Sequence, residues 1–357
     1  MKKISKFIQF INIEKKQYRN INKFNYGISI LKVLLAFSVI STHCFNKNST
    51  KNKIVLFLTK NRRIHVPSFI IISFYFLSNN FVSFNLNYLL RRIKRILMPY
   101  IFWPIIIWII SIIFNLKKKD EKFPDSYQEL KLQLLWGSLF IPQFWFQWDL
   151  MAITFVFYII IQIFRKHSLF ILQLLLIMAY ISQYSSHYSN YFTKFPLYNK
   201  YTIGRILELI PFAISGFIFG FYKFFNIIKK NKVKTVILSI VIYNSIEGYN
   251  ILTYIYGFGY SGIKLNIQSM CLIDIFSLFP SESINNYYLI KVITLLTKYT
   301  AGIFYLHISI YNFFKFYIND IKNGSFFGII LNYCICYTVC QIGMIFFSKT
   351  LIKYLFC

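Results

Sequence analysis

The chain has 357 residues, 57% hydrophobic, 21% aromatic and 14% charged, with a mean hydropathy of +0.52. Soluble domains usually carry about 25% charged residues, so this composition excludes a disordered chain, a coiled coil, a collagen-like fibre and a small disulfide scaffold. With several apolar runs of about 18 residues or more, it predicts an all-α polytopic membrane bundle of about ten transmembrane helices. The net charge of +29, from 40 Lys and Arg against 11 Asp and Glu, sits mostly between the apolar runs. Lipid headgroups and topology account for it; no nucleic-acid motif accompanies it, and no nucleic-acid partner is expected.

Residues 1–26 form a polar basic tail without the apolar core of a cleavable signal peptide. The expected spans then run at 27–45, 66–84, 96–115, 145–164, 168–184, 205–223, 233–249, 265–280, 296–318 and 326–348. They make one membrane domain, 27–350, followed by a short tail, 351–357. The second span is polar at its end, with Ser78, Asn79 and Asn80. A weaker apolar stretch, Leu132–Phe144, reads as re-entrant or interfacial. The segment YGFGYSG (256–262) reads as a loop, because its glycines do not follow a phosphate-binding pattern. Gly216 and Gly220 form a GxxxG, a spacing that lets helices approach closely. Cys334, Cys336 and Cys340 share no single helical face and no histidine completes a zinc pattern, so they read as small apolar residues and no metal site is expected. No repeat of 20–50 residues is visible.

Basic clusters favour the cytoplasm. The N-terminal tail, the loop with Arg91, Arg92, Lys94 and Arg95, and the loop with Lys229, Lys230, Lys232 and Lys234 fall on one side of an alternating arrangement. That places both termini in the cytoplasm of a multi-pass protein of the cell membrane, although the first loop (Lys47, Lys51, Lys53, Lys60, Arg62, Arg63) opposes it.

Charge at membrane depth is costly, so ionisable residues inside apolar runs mark functional sites. They are Lys32, His43, Asp149, Glu208, Glu247, Asp274 and His307, with His65 at an entrance. Lys32 and His43 are eleven residues apart, which returns them to one helical face about 16 Å apart along the axis. They are either a snorkelling lysine and a satisfied core histidine, or groups that touch two parts of one long ligand or line one polar path; their shared face favours a site. Arg92 and Arg95, three residues apart, are neighbours on one helical face. They are either a stop-transfer cluster or an anion site, since paired guanidinium groups suit phosphate.

These segments resemble the acyltransferase family 3 of integral membrane proteins, in order along the chain. ISILKVLLAFSVISTHCF resembles the family's first span, in which a basic residue precedes a histidine with ten residues between; here these are Lys32 and His43. HVPSFIIISFYF (65–76) resembles its second span and RRIKRILMPYIFW (91–103) its Arg-x-x-Arg followed by Pro and aromatics. FWFQWDL (144–150) resembles the entry to a later span and AGIFYLHISIYNFF (301–314) the penultimate one. The sequence departs at Ser29, where the family usually has Asp, at Lys32, where Arg is commoner, and at Phe74, where Gly often follows the serine. No hydrolase-like domain follows the last span, as in the membrane-only members.

The resemblance implies transfer of an acyl group, most often acetyl from acetyl-CoA, to a sugar hydroxyl of a surface or cell-envelope glycan, with no permanently bound cofactor. His43 is then the expected general base, and Lys32, Arg92 and Arg95 the expected grip on the anionic donor. His307 is open to three readings: a second acid/base, an acceptor-binding group, or a core histidine. Asp149 and Glu208 either orient a histidine, bind sugar hydroxyls, or pair with Arg205 or another base. A transporter or flippase of a lipid-linked oligosaccharide is the alternative, though the two-halved symmetry of such proteins is not visible.

Overall fold

A computed structural model describes residues 26–44, 64–78, 85–115, 126–136, 145–188, 202–222, 232–252, 263–277 and 287–347. Among them the structure is helical without a strand, as the composition predicts. The helices are α1 (Tyr26–Cys44), α2 (His65–Ser78), α3 (Leu86–Ile113), α4 (Tyr127–Trp136), α5 (Trp145–Phe164), α6 (Ser168–Tyr188) and α7 (Thr202–Phe221). They continue with α8 (Lys232–Leu252), α9 (Ile263–Ser277), α10 (Tyr287–Lys298), α11 (Thr300–Phe314), the single turn α12 (Asn319–Lys322) and α13 (Phe326–Phe347). The N-terminal tail, the first basic loop and the 256–262 loop lie outside the described residues.

Helix α1 runs through the middle. It packs on α2, α9, α10, α11 and α13, and 61% of its apolar window is buried, against 39% or less for the other long apolar helices. It contributes to both large apolar cores. Leu31, Leu35 and Val39 join α2, α5 and α7; Ala36 and Ile40 join α3, α11 and α13. Ser38 Oγ and His65 Nε2 are hydrogen-bonded at 2.6 Å near one end of α1. Lys32 Nζ lies 4.8 Å from the Phe76 ring near the other. Helices α1 and α2 are therefore antiparallel.

The most extensive helix pair is α2 with α7. Its closeness depends on the GxxxG glycines. A Cβ on Gly216 would overlap the Ile71 carbonyl oxygen and lie 2.7 Å from Ile71 Cα, and one on Gly220 would lie 2.6 Å from the Tyr75 carbonyl oxygen. Backbone thus faces backbone, the contact that small residues permit between membrane helices.

Among the described residues, four helices have the length and hydropathy to cross a bilayer, or five if the bent pair α10–α11 is one span; four further apolar helices are shorter. These helices do not confirm the expected count of about ten crossings. Two boundaries differ from the sequence reading. Helix α3 begins at Leu86 rather than 96, because the Asn85 side chain accepts the Tyr88 N–H at 3.0 Å and caps a helix that continues through the basic cluster. The span expected at 296–318 is broken by 57° at Tyr299. Thr294, Thr297 and Thr300 each turn a hydroxyl back onto a carbonyl of the preceding turn, which competes with regular helix geometry.

Replacing Gly216 with Ala should destabilise the protein by about 1–3 kcal/mol, the usual cost of overpacking a filled contact. Thermal unfolding in detergent should show a lowered Tm; an unchanged Tm would mean that α2 and α7 do not need this approach.

Candidate active site

Three histidines meet where α1, α2 and α11 come together. The C-terminal half of α1 reads SVISTH, and its hydroxyls are held locally: Ser41 Oγ and Thr42 Oγ1 both donate to the Ser38 carbonyl, at 2.8 and 3.0 Å. His43 follows at the helix end and is exposed. Its ring lies 5.2 Å from the ring of His307 on α11, tilted by 49°. His65, buried in the first turn of α2, interacts electrostatically with His43 and is hydrogen-bonded to Ser38.

His307 is fully buried. Its Nδ1 lies 2.7 Å from the Phe304 carbonyl oxygen. A carbonyl only accepts, so the proton of neutral His307 sits on Nδ1. Nε2 is left with a lone pair and has no hydrogen-bond partner among the described residues. The backbone here is braced from α13: Asn332 Nδ2 donates to the His307 carbonyl at 3.3 Å, and the Cys336 thiol donates to Asn332 Oδ1 at 3.4 Å.

The entry of α5 closes the same region. Phe146 packs on Phe304 at 5.4 Å, and Phe304 packs on His307 at 5.8 Å. Next to Phe146, the Gln147 amide is buried beside the Tyr305 hydroxyl. Neither of its polar atoms meets hydrogen-bond geometry with a described residue.

A second polar region lies further along the same helices. Ser73, Tyr88, Arg91, Arg92, Arg95, Ile96 and Leu150 line a cavity of about 430 Å³, with no acidic residue among the described residues of its wall. Arg92 is fixed there. Its Nη2 donates to Ser73 Oγ at 2.7 Å and its Nε to Thr154 Oγ1 at 3.2 Å, while the guanidinium lies 5.2 Å from the Phe74 ring. Arg91 and Arg95 are exposed. His65 and Ser73 are eight residues apart on α2, as are Phe146 and Thr154 on α5, so the Arg92 contacts lie about 12 Å along α2 from His65 and about 12 Å along α5 from Phe146.

The structure thus brings His43 to His307 and Arg92 to Arg95. Lys32 lies toward the arginine end, against Phe76 rather than in the cavity wall. Asp149 is fully buried on α5, beside the cavity residue Leu150 and three residues beyond Phe146. Glu208 is half-buried on α7, whose main partners are α2, α5 and α6, so it stands on a different wall from the histidine pair. Glu247 and Arg205 fall outside the described side chains. Sequence reasoning missed Ser38, Gln147, Asn332, Ser73 and Tyr88, which are ordinary polar residues until packing buries them or turns them into a cavity. Among the described residues no three His, Cys, Asp or Glu side chains converge in a way that would hold a metal.

Apolar helices long enough to span a bilayer, with histidines and arginines gathered within their bundle, define an integral membrane protein with an internal polar site. Its class is given by its family: residues 25–348 match the acyltransferase domain of acyltransferase family 3, and the chain belongs to that family. It is a membrane acyltransferase. The chain matches no curated protein and no solved structure.

Replacing Ser38 with Ala removes the hydroxyl bonded to buried His65, and leaving a buried polar group unsatisfied costs about 1–3 kcal/mol. The variant should unfold at a lower temperature than wild type in detergent. An equal Tm would show that this contact does not brace α1 on α2.

Proposed function

We propose that the protein transfers an acyl group, acetyl in the first instance, from acyl-CoA to a hydroxyl of a surface or cell-envelope glycan. The observation that carries this reading is that one helix bundle holds both an exposed histidine paired with a buried one and a separate arginine-lined cavity with no acidic residue among the described residues of its wall. CoA is a polyanion at one end and a thioester at the other, joined by an extended arm. A cavity lined by arginines suits its phosphates, because guanidinium groups bind phosphate with charge-assisted, paired hydrogen bonds.

Arg92 supplies fixed charge, since its nitrogens are engaged by Ser73 and Thr154. Arg95 and Arg91, exposed on the cavity wall, supply the directed contacts. Lys32 adds positive potential at the same end. The donor is cytoplasmic, so the arginine end and the chain's N-terminus face the cytoplasm, and His43 lies toward the outer face of the cell membrane. The acceptor then approaches His43 from outside. The Gln147 amide, buried with donor and acceptor capacity, suits the hydroxyls of a sugar. Asp149 on the same helix is the carboxylate best placed to add to that contact, and Glu208, on another wall, the less well placed.

In the reaction His43 takes the proton of the acceptor hydroxyl as its oxygen attacks the thioester carbonyl. The tetrahedral intermediate collapses, the C–S bond breaks, and imidazolium His43 returns the proton to the CoA thiolate. One ester forms, one thioester is consumed, and no other co-substrate is needed.

Transfer of label from radiolabelled acetyl-CoA to endogenous glycans, in membranes carrying the full chain, tests this. His43→Ala should lower transfer by about 100-fold or more, the range for loss of a general base. Arg95→Ala should raise KM for acetyl-CoA about tenfold with kcat within about twofold, as expected for an interaction present equally in ground and transition states. Wild-type turnover in the His43→Ala membranes would remove the proposed base.

A further inference from the structure

Building on that reading, we propose that His307 is the hydrogen-bond acceptor for His43, so that hydroxyl, His43, His307 and the Phe304 carbonyl form one directed chain. His307 is thereby a positioning residue, with a role distinct from both base and acceptor-binding group.

Two observations carry this. The first is the polarity of His307. Its Nδ1–H is committed to the Phe304 carbonyl at 2.7 Å, and its Nε2 is buried without a hydrogen-bond partner among the described residues. A buried acceptor without a donor is costly and is normally matched when the site is complete. The second is the neighbour. The His43 ring comes from a different helix to 5.2 Å, centroid to centroid. At that spacing two imidazole rings that turn a nitrogen toward each other bring those nitrogens to about 3 Å, hydrogen-bond range. His43 is exposed at the end of α1 and reaches this orientation by rotating about its side-chain torsions, whereas His307 is locked by Phe304 and by Asn332 behind its carbonyl.

The consequence is chemical. With one N–H of His43 donated to His307 Nε2, the other ring nitrogen carries the lone pair and is presented to the acceptor hydroxyl. When His43 takes the hydroxyl proton it becomes imidazolium, and its bond to His307 becomes charge-assisted and stronger. No proton moves to His307: Nδ1 keeps its proton, donated to the Phe304 carbonyl, and the proton gained by His43 leaves with the CoA thiol. His307 thus acts toward His43 as a carboxylate acts toward the histidine of a hydrolase triad, using a neutral acceptor that costs less to bury than a charge.

The test separates this role from a core role. A glutamine side chain places its amide near the position of imidazole Nε2, and asparagine places its amide near Nδ1. His307→Gln keeps an acceptor facing His43; His307→Asn keeps only the contact to Phe304. In membranes with radiolabelled acetyl-CoA and endogenous glycans, His307→Gln should retain transfer within about tenfold of wild type, and His307→Asn should lose about 100-fold in kcat with KM for acetyl-CoA within about twofold. Equal losses in the two variants, or a fully active His307→Asn, overturn the proposal. Nitrogen-15 spectra of the histidine-labelled full chain give a readout independent of turnover. The Nδ1–H tautomer at His307, with an Nε2 signal that moves in His43→Ala, supports the pair; an Nε2–H tautomer sinks it. A wild-type protein that shows the paired signals but transfers nothing from acetyl-CoA would retain the pair and overturn the acyl-transfer reading instead.

Discussion

Helix α1 carries Lys32 toward one end and His43 at the other, and its neighbours α2, α9, α10, α11 and α13 enclose it. A helix with a lysine, a histidine and several serines is a poor partner for lipid, because each buried polar group must be satisfied within the protein. Here the Ser41 and Thr42 hydroxyls fold back on their own helix, His65 of α2 meets Ser38, and His307 of α11 faces His43. Removing this enclosure would strand the polar groups and separate the two histidines. The candidate site and the central core are thus the same physical object.

The position of α2 decides whether that enclosure closes. Two glycines of α7 let the α2 backbone approach, which sets the depth of His65 at one end and of Ser73 and Phe74 at the other. Phe74, where the family often has glycine, is wholly buried. It packs against Phe157 at 4.6 Å with the rings tilted by 52°, and lies under the Arg92 guanidinium. The ring therefore fills the space a glycine would leave and supports the arginine that the cavity needs. Ser29, where the family usually has Asp, is also buried; its carbonyl oxygen lies 3.4 Å from Thr297 Oγ1 on α10, a contact between α1 and the first half of the broken span.

The break at Tyr299 has a related effect. Helix α10 packs along the start of α1, and α11 leaves it at 57° to carry Phe304 and His307 toward the end of α1 and the entry of α5. A straight helix through 287–314 would not serve both places. The threonine hydroxyls that weaken the helix in this stretch thus help place His307.

Composition and hydrophobic runs were enough to give an all-helical membrane bundle, because a bilayer admits only segments whose backbone bonds are internal. Eleven-residue spacing put Lys32 and His43 on one face of α1, since the helical repeat is local. Three-residue spacing likewise put Arg92 and Arg95 together. The start of α3 at Leu86 was missed because its first turns are charged and lack the apolar signal, and the bend at Tyr299 because no Pro or Gly marks it. Tertiary structure alone decided that His307, 264 positions beyond His43 in the chain, is its neighbour. It also decided that Arg92 is held by Ser73 and Thr154 while Arg95 is left to the cavity, and that Gln147 is buried beside Tyr305. Contacts of this kind depend on how helices cross and how deep each one sits. Those quantities come from the shapes of facing surfaces, and no periodicity within one helix encodes them.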